Sequence, residues 1–151
     1  MTCVFHRLIH PGSLLAALAW ALFTTSPGHA DTQPIAIAIH GGAGTIDKEK
    51  LQGELKTEYE TKLLEALDTG YALLEKGHDS QEAVIAAIQV LEASPLFNAG
   101  KGAVYTFEGT HELDASIMDG ATLQVGAVAG VKTVKSPISF SKAFMDNSTQ
   151  V

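Results

Sequence analysis

The stretch from Phe97 to Gly120, FNAGKGAVYTFEGTHELDASIMDG, limits what this chain can fold into more than any other segment. Glycines at 100, 102, 109 and 120 punctuate runs rich in β-formers, so the chain must turn sharply where only short extended segments fit between. Ala103 to Phe107 and Glu112 to Met118 read as the arms of a hairpin around Glu108-Gly109. Asp119-Gly120 is a second tight turn, and it leads into Thr122 to Val131, where small residues alternate with valines as expected where another layer packs closely.

Upstream, Ile35-Ala-Ile-Ala-Ile39 is a short apolar run that predicts a strand buried on both faces, broken by the glycines of His40-Gly-Gly-Ala-Gly44. Leu55, Tyr59, Leu63, Leu67 and Leu74 recur at helical spacing over Glu54 to Lys76, and Gly77 suits the C-terminal cap. Asp79, followed three residues later by Glu82, is a capping-box start for a second helix. The apolar interior of that helix, Ala83 to Leu91, predicts that it is largely buried. Pro95 ends it, and Pro137 opens a final helix through about Asp146. Helices flanking consecutive strands make an α+β layered domain.

Composition narrows the function. Met1 to Ser13 carries Arg7 and no acid, Leu14 to Phe23 is apolar, and Ser26-Pro-Gly-His-Ala30 ends in small residues. This is the pattern of a signal peptide cleaved after Ala30, too short in its apolar part for the ~20 residues of a membrane span. Residues 31–151 are then expected to be secreted or periplasmic. The single cysteine, Cys3, lies in the removable segment, which leaves no disulfide, thiol nucleophile or cysteine-ligated zinc. A net charge of −7, with no arginine after position 30, argues against nucleic acid, and no transmembrane segment is evident.

Several groups could carry chemistry. His40-Gly-Gly-Ala-Gly44 follows a strand-like run but lacks both the P-loop ending and the dinucleotide spacing, so it reads either as a tight packing turn or as a backbone loop beside a reaction centre. His111, Glu112, Asp114 and Asp119 suggest a metal, yet on a strand Glu112 and Asp114 share one face and His111 takes the other. Asp114 and Asp119 are better placed to accept from turn or loop amides. Between Leu91 and Lys101 a helix end, Pro95 and Gly100 force an irregular path. Its carbonyls either converge on a hard cation or are capped by water and side chains. No Gly-x-Ser-x-Gly nucleophile elbow is present, and the sequon Asn147-Ser-Thr149 reads as chance.

Taken in order, Ile39-His-Gly-Gly-Ala-Gly44, Leu96-Phe-Asn-Ala-Gly-x-Gly-Ala-Val104, His111-Glu-Leu-Asp-Ala-Ser-Ile-Met-Asp-Gly120, Val125-Gly-Ala-Val-Ala-Gly-Val131 and Pro137-Ile resemble the plant-type L-asparaginase and isoaspartyl peptidase family of N-terminal-nucleophile hydrolases. The resemblance runs from about Ile35 to the end of the chain. It implies an αββα sandwich, made as a precursor that cleaves itself into α and β subunits. The new N-terminal threonine of the β subunit is nucleophile and base in one residue. The substrates implied are L-asparagine and β-aspartyl peptides, and the assembly implied is a dimer of αβ units.

By the same resemblance, this chain corresponds to most of an α subunit and lacks the β subunit with the nucleophile. Thr122-Leu-Gln-Val-Gly-Ala-Val echoes the family's Gly-Thr-Val-Gly-Ala-Val cleavage motif, but two residues separate Thr122 from the valine and Ala121 precedes it, so Thr122 is not the nucleophile. The family's substrate-binding arginine and aspartate likewise belong to the other half. Asn98 matches the α-subunit asparagine bordering the active site, and His40, Gly41 and Gly42 match the loop beside the nucleophile. Leu91, Glu92, Ser94, Phe97, Ala99 and Lys101 match positions whose main-chain carbonyls hold a structural sodium ion. The expected function is the non-nucleophilic part of an isoaspartyl peptidase or L-asparaginase, inactive alone. The alternatives are a non-catalytic truncated remnant or a metal- or ligand-binding module.

Overall fold

In the computed structural model, residues 34–42 and 49–148 are described, and contacts divide the chain between Pro34 and Ile35. The signal-peptide reading of Met1 to Ala30, residues Ala43 and Gly44 of the glycine loop, and Thr149 of the sequon lie outside the described residues.

The two long helices form where the periodicity places them. Helix α1 spans Gly53–Glu75 and helix α2 spans Ser80–Glu92. The turn between them is written in three residues. Gly77 takes φ +82°, and the amides of Gly77 and His78 donate to the carbonyls of Leu74 and Leu73 at 3.0 Å each, a Schellman stop. Asp79 then accepts from the Glu82 amide at 2.7 Å. Glu82 does not reach back to complete the box; its carboxylate pairs with His78 Nδ1 at 2.8 Å. The helices meet through small residues. A Cβ on Gly70 would lie 2.9 Å from the Ala83 carbonyl oxygen and 3.3 Å from the Ala87 Cβ, and Ala66, Ala83 and Ala87 are buried.

A 3₁₀ turn at Gly100–Gly102 follows the loop after α2. Strands β1 (Leu113–Met118) and β2 (Val125–Val131) pair antiparallel, with Ser116 opposite Ala127 and Ile117 opposite Gly126. A bulge falls between Leu113 and Ala115. Gly130 there takes φ +64°, and its amide, displaced from the ladder, donates to Asp114 Oδ1 at 2.8 Å. Helix α3 (Pro137–Asn147) lies across the inner face of this sheet. Gly126 permits the approach, because a Cβ there would be 2.1 Å from the Ser141 carbonyl oxygen. Ile117, Ile138 and Met145 form the core between them, flanked by Ile85 and Ile88 of α2. Helices and a small sheet thus make the expected α+β arrangement. No helix among the described residues is long and apolar enough to cross a membrane.

Three local expectations need correction. Ile35 to Ile39 forms no strand: the one sheet among the described residues pairs β1 with β2 and leaves this segment out. It is not buried on both faces: Ile37, lying over Gly70, and Ile39 are half-buried, and Ile35 is 39 % exposed. Ala103 to Phe107 is not a strand either. Its polar groups go to local partners: the Val104 amide to Asn98, the Thr106 amide to the Thr110 carbonyl at 2.7 Å, and the Val104 carbonyl to His111. Finally, α2 is not largely buried: only Ala83, Ala87 and Glu92 are, while Val84 is 38 % exposed.

Candidate active-site loop

Residues 93–102 connect α2 to the rest of the chain and are shaped by their own backbone. The Ser94 amide donates to the Leu91 carbonyl at 3.1 Å, the Ala99 amide to Phe97 at 2.7 Å, and the Gly102 amide to Ala99 at 3.0 Å. The turns are so tight that side chains are excluded at two positions. A Cβ on Gly100 would sit 2.4 Å from the Glu92 carbonyl oxygen, and one on Gly102 would sit 2.2 Å from that of Phe97. Gly100 also takes φ +48°, a left-handed value that a side chain disfavours. Ser94 is buried, and its hydroxyl accepts from the Leu96 amide. Lys101 is exposed in the 3₁₀ turn.

Phe97 is the anchor. It is buried, meets Tyr59 of α1 edge to face at 5.5 Å between ring centroids, and lies beside Gly41, where a Cβ would be 3.5 Å from its ring. This contact brings the His40–Gly42 segment against the Asn98 loop across more than fifty positions of sequence. The local conformation of that segment has a visible cause as well. Gly42 takes φ +119°, and its amide donates to His40 Nδ1 at 3.1 Å, which fixes that nitrogen as the acceptor.

Asn98 follows Phe97 with its side chain exposed, and its Oδ1 accepts from the Val104 amide at 2.9 Å. Its amide nitrogen has its two hydrogens left to offer. A cleft of about 220 Å³ opens beside it, lined by Glu92, Asn98, Gly100, Glu112, Asp114 and Pro137. Each acid there already has a partner. Glu112 pairs with Lys132 at 2.8 Å, Asp114 holds the Gly130 amide, and Glu92 is engaged by α3. Among the described residues, no three His, Cys, Asp or Glu side chains are grouped to hold a metal ion. His111 lies against Tyr105, with ring centroids 4.2 Å apart and planes tilted by 35°, and its Nδ1 is 3.2 Å from the Val104 carbonyl.

Asp119 is structural as well. Its carboxyl is held below the usual carboxylate range, chiefly by the Ala121 amide, which donates to Oδ1 at 2.8 Å, with help from Thr122 and from Gln81 Nε2 at 2.8 Å. It closes the β1–β2 turn and ties that turn to α2.

Sequence reasoning passed over one side chain. The family resemblance points only to the main-chain carbonyl of Glu92, yet its carboxylate is buried and makes two long-range hydrogen bonds. The signal was present: an acid as the last residue of an apolar helix, where the negative helix end disfavours it.

Residues 32–151 match the family described as asparaginase. The chain is 49 % identical over 115 residues to an isoaspartyl peptidase of Salmonella typhimurium, covering 76 % of this chain and 37 % of that protein. It is 44 % identical to an isoaspartyl peptidase of Escherichia coli, over 76 % of this chain and 36 % of the relative. A plant-type L-asparaginase of Pyrococcus furiosus is 47 % identical over 78 % of this chain and 37 % of its own length. The chain therefore spans little more than a third of the relatives it matches. With the family match over residues 32–151 and these identities, the chain belongs to the asparaginase family and is similar to isoaspartyl peptidases and plant-type L-asparaginases.

Proposed function

We propose that this chain forms the non-nucleophilic part of an isoaspartyl peptidase or L-asparaginase that hydrolyses β-aspartyl peptides and the side-chain amide of asparagine. The observation that carries the reading is the Asn98 loop. Phe97 and the His40–Gly42 segment meet there, and Asn98 faces a polar cleft with donor hydrogens to spare. Such a wall can orient an amide substrate or a water, but among these residues no nucleophile is paired with a base. The attack belongs to an N-terminal threonine of a β subunit, whose hydroxyl adds to the amide carbon while its own amine takes the proton. Ammonia or an amino acid leaves, and water releases aspartate. The chain alone is then inactive.

The sheet face away from α3, where Met118 and Val125 are exposed, is the surface on which the second sheet of an αββα sandwich packs, and two αβ units form the dimer. In the cell the protein is exported, with a mature N-terminus near Asp31.

The family resemblance further supports a sodium ion held by the carbonyls of Leu91, Glu92, Ser94, Phe97, Ala99 and Lys101. Neutral oxygens suit a monovalent cation, and the carbonyls of Leu91, Phe97 and Ala99, each already accepting one amide, keep a second lone pair. Bound, the ion would stiffen the loop that carries Asn98.

The test is aspartate release from a β-aspartyl dipeptide and from asparagine. The chain alone is expected to release none. A longer product, completed to the length of the relatives, is expected to release it. Turnover by the chain alone, or none by the longer product, refutes the proposal.

A further inference from the structure

Glu92 is an anomaly by ordinary rules. It is a carboxylate only 6 % exposed, and it ends α2 where the helix dipole is unfavourable to negative charge. Its partners come from a different helix. Oε1 accepts from the Ile138 amide at 2.9 Å and Oε2 from the Ser136 hydroxyl at 2.6 Å. Ser136 is the N-cap residue of α3, but its hydroxyl makes no cap bond and donates to Glu92 instead. The cap of α3 is thus supplied by α2, and the positive end of α3 compensates the charge.

The other end of the same residue belongs to the loop. A Cβ on Gly100 would meet the Glu92 carbonyl oxygen at 2.4 Å and its Cα and Cβ at 2.9 Å, so Gly100 is seated directly on the Glu92 backbone. Gly100 lies two residues from Asn98, and Glu92, Asn98 and Pro137 line one cleft. We propose that Glu92 is a positioning residue for the Asn98 loop: its carboxylate fastens the end of α2 to the start of α3, and its backbone, held there, is the seat that fixes Gly100 and hence Asn98.

The functional weight of this role rests on the reading of Asn98 as an active-site border. The structural coupling can be measured without any catalysis, so the two can fail separately. Amide hydrogen exchange of the full chain is followed residue by residue in Glu92→Gln, Glu92→Ala and Ser136→Ala. Exchange at Ile138 is expected to rise about tenfold or more in Glu92→Ala, as for loss of a charge-assisted bond, and less in Glu92→Gln, which keeps an acceptor oxygen. The decisive amides are Gly102, bonded to Ala99, and Val104, bonded to Asn98. They are expected to accelerate severalfold with Ile138, while those of the α1 interior do not. Acceleration at Ile138 alone overturns the proposal, because Glu92 then serves only α3. Equal acceleration throughout α1 also overturns it, since the effect is then general instability. Should Glu92→Ala not fold, the Gln and Ser136→Ala variants decide by the same criteria.

Discussion

Replacing Gly126 by alanine tests whether α3 rests on the sheet at the separation seen here. The added Cβ would lie 2.1 Å from the Ser141 carbonyl oxygen, 2.7 Å from the Met145 Cβ and 3.0 Å from the Ser141 carbonyl carbon. Two of these atoms are helix backbone and the third is bonded directly to it, so no rotamer change relieves the clash. Gly126 lies outside the left-handed region, so backbone strain plays no part. Alanine restricts the unfolded chain and for that reason alone stabilises by about 0.5–1 kcal/mol. Overpacking a fitted interface costs about 1–3 kcal/mol, and the upper end applies where backbone must move. The net expectation is a destabilisation of about 2 kcal/mol, or a fall in Tm of roughly 8 °C for a domain of this size.

Gly120→Ala is the internal control, since a Cβ there meets nothing within 4 Å and its φ is not left-handed. Its expected change is within about 0.5 kcal/mol of zero. Urea melts of both variants read the difference, with an unchanged m-value showing that the same surface unfolds. If Gly126→Ala melted with the control, α3 could not lie against β2 as described. The core of Ile117, Ile138 and Met145 would then be wrongly placed as well.

Leu123 takes φ +62° at the end of the β1–β2 turn and is 66 % exposed, so Leu123→Gly relieves about 1–2 kcal/mol of strain against about 0.5–1 kcal/mol for the freer unfolded chain, and thermal melts are expected to show a small rise in Tm. Asp119 has its folded-state acidity strengthened, so its contribution is present above the unfolded carboxylate value of about 4 and is lost as pH falls through the lower folded value. Denaturation of Asp119→Asn should therefore show a deficit at pH 6 that narrows below pH 4, and a constant deficit would contradict the assignment. Sodium chloride should raise Tm relative to choline chloride at equal ionic strength, by the equivalent of about 2.7 kcal/mol at a hundred times the dissociation constant, if the carbonyl loop holds the ion. Gly102→Ala drives a Cβ to 2.2 Å from the Phe97 carbonyl oxygen and is expected to abolish that sodium response along with loop order.

What the sequence reveals about this fold depends on whether its cause is local. Gly77, Asp79 and Pro137 mark helix boundaries within a residue or two, because caps are satisfied by neighbours in sequence. Asp119 was readable as a turn acceptor for the same reason. Ile35 to Ile39 and Ala103 to Phe107 have strand-like composition, but a strand also needs a distant partner, and composition says nothing of that. The apolar breadth of α2 overstated its burial, since α1 and the sheet-backed α3 cover only part of its surface.

The candidate site follows the same division, and this changes which residues matter in it. The acids of Glu112 to Asp119 attract attention as a cluster, yet each is committed to a neighbour: Lys132, the bulge amide of Gly130, or the turn amides. For Asp119 the turn amides hold the carboxyl below the usual carboxylate range, which makes it a poor proton acceptor. Asn98 differs: one end of its amide is fixed by Val104 and the other is free to donate. A group fixed at one end and free at the other suits the proposed wall that orients an amide substrate, and Phe97, Gly100 and Glu92 pack in or against the loop that carries it.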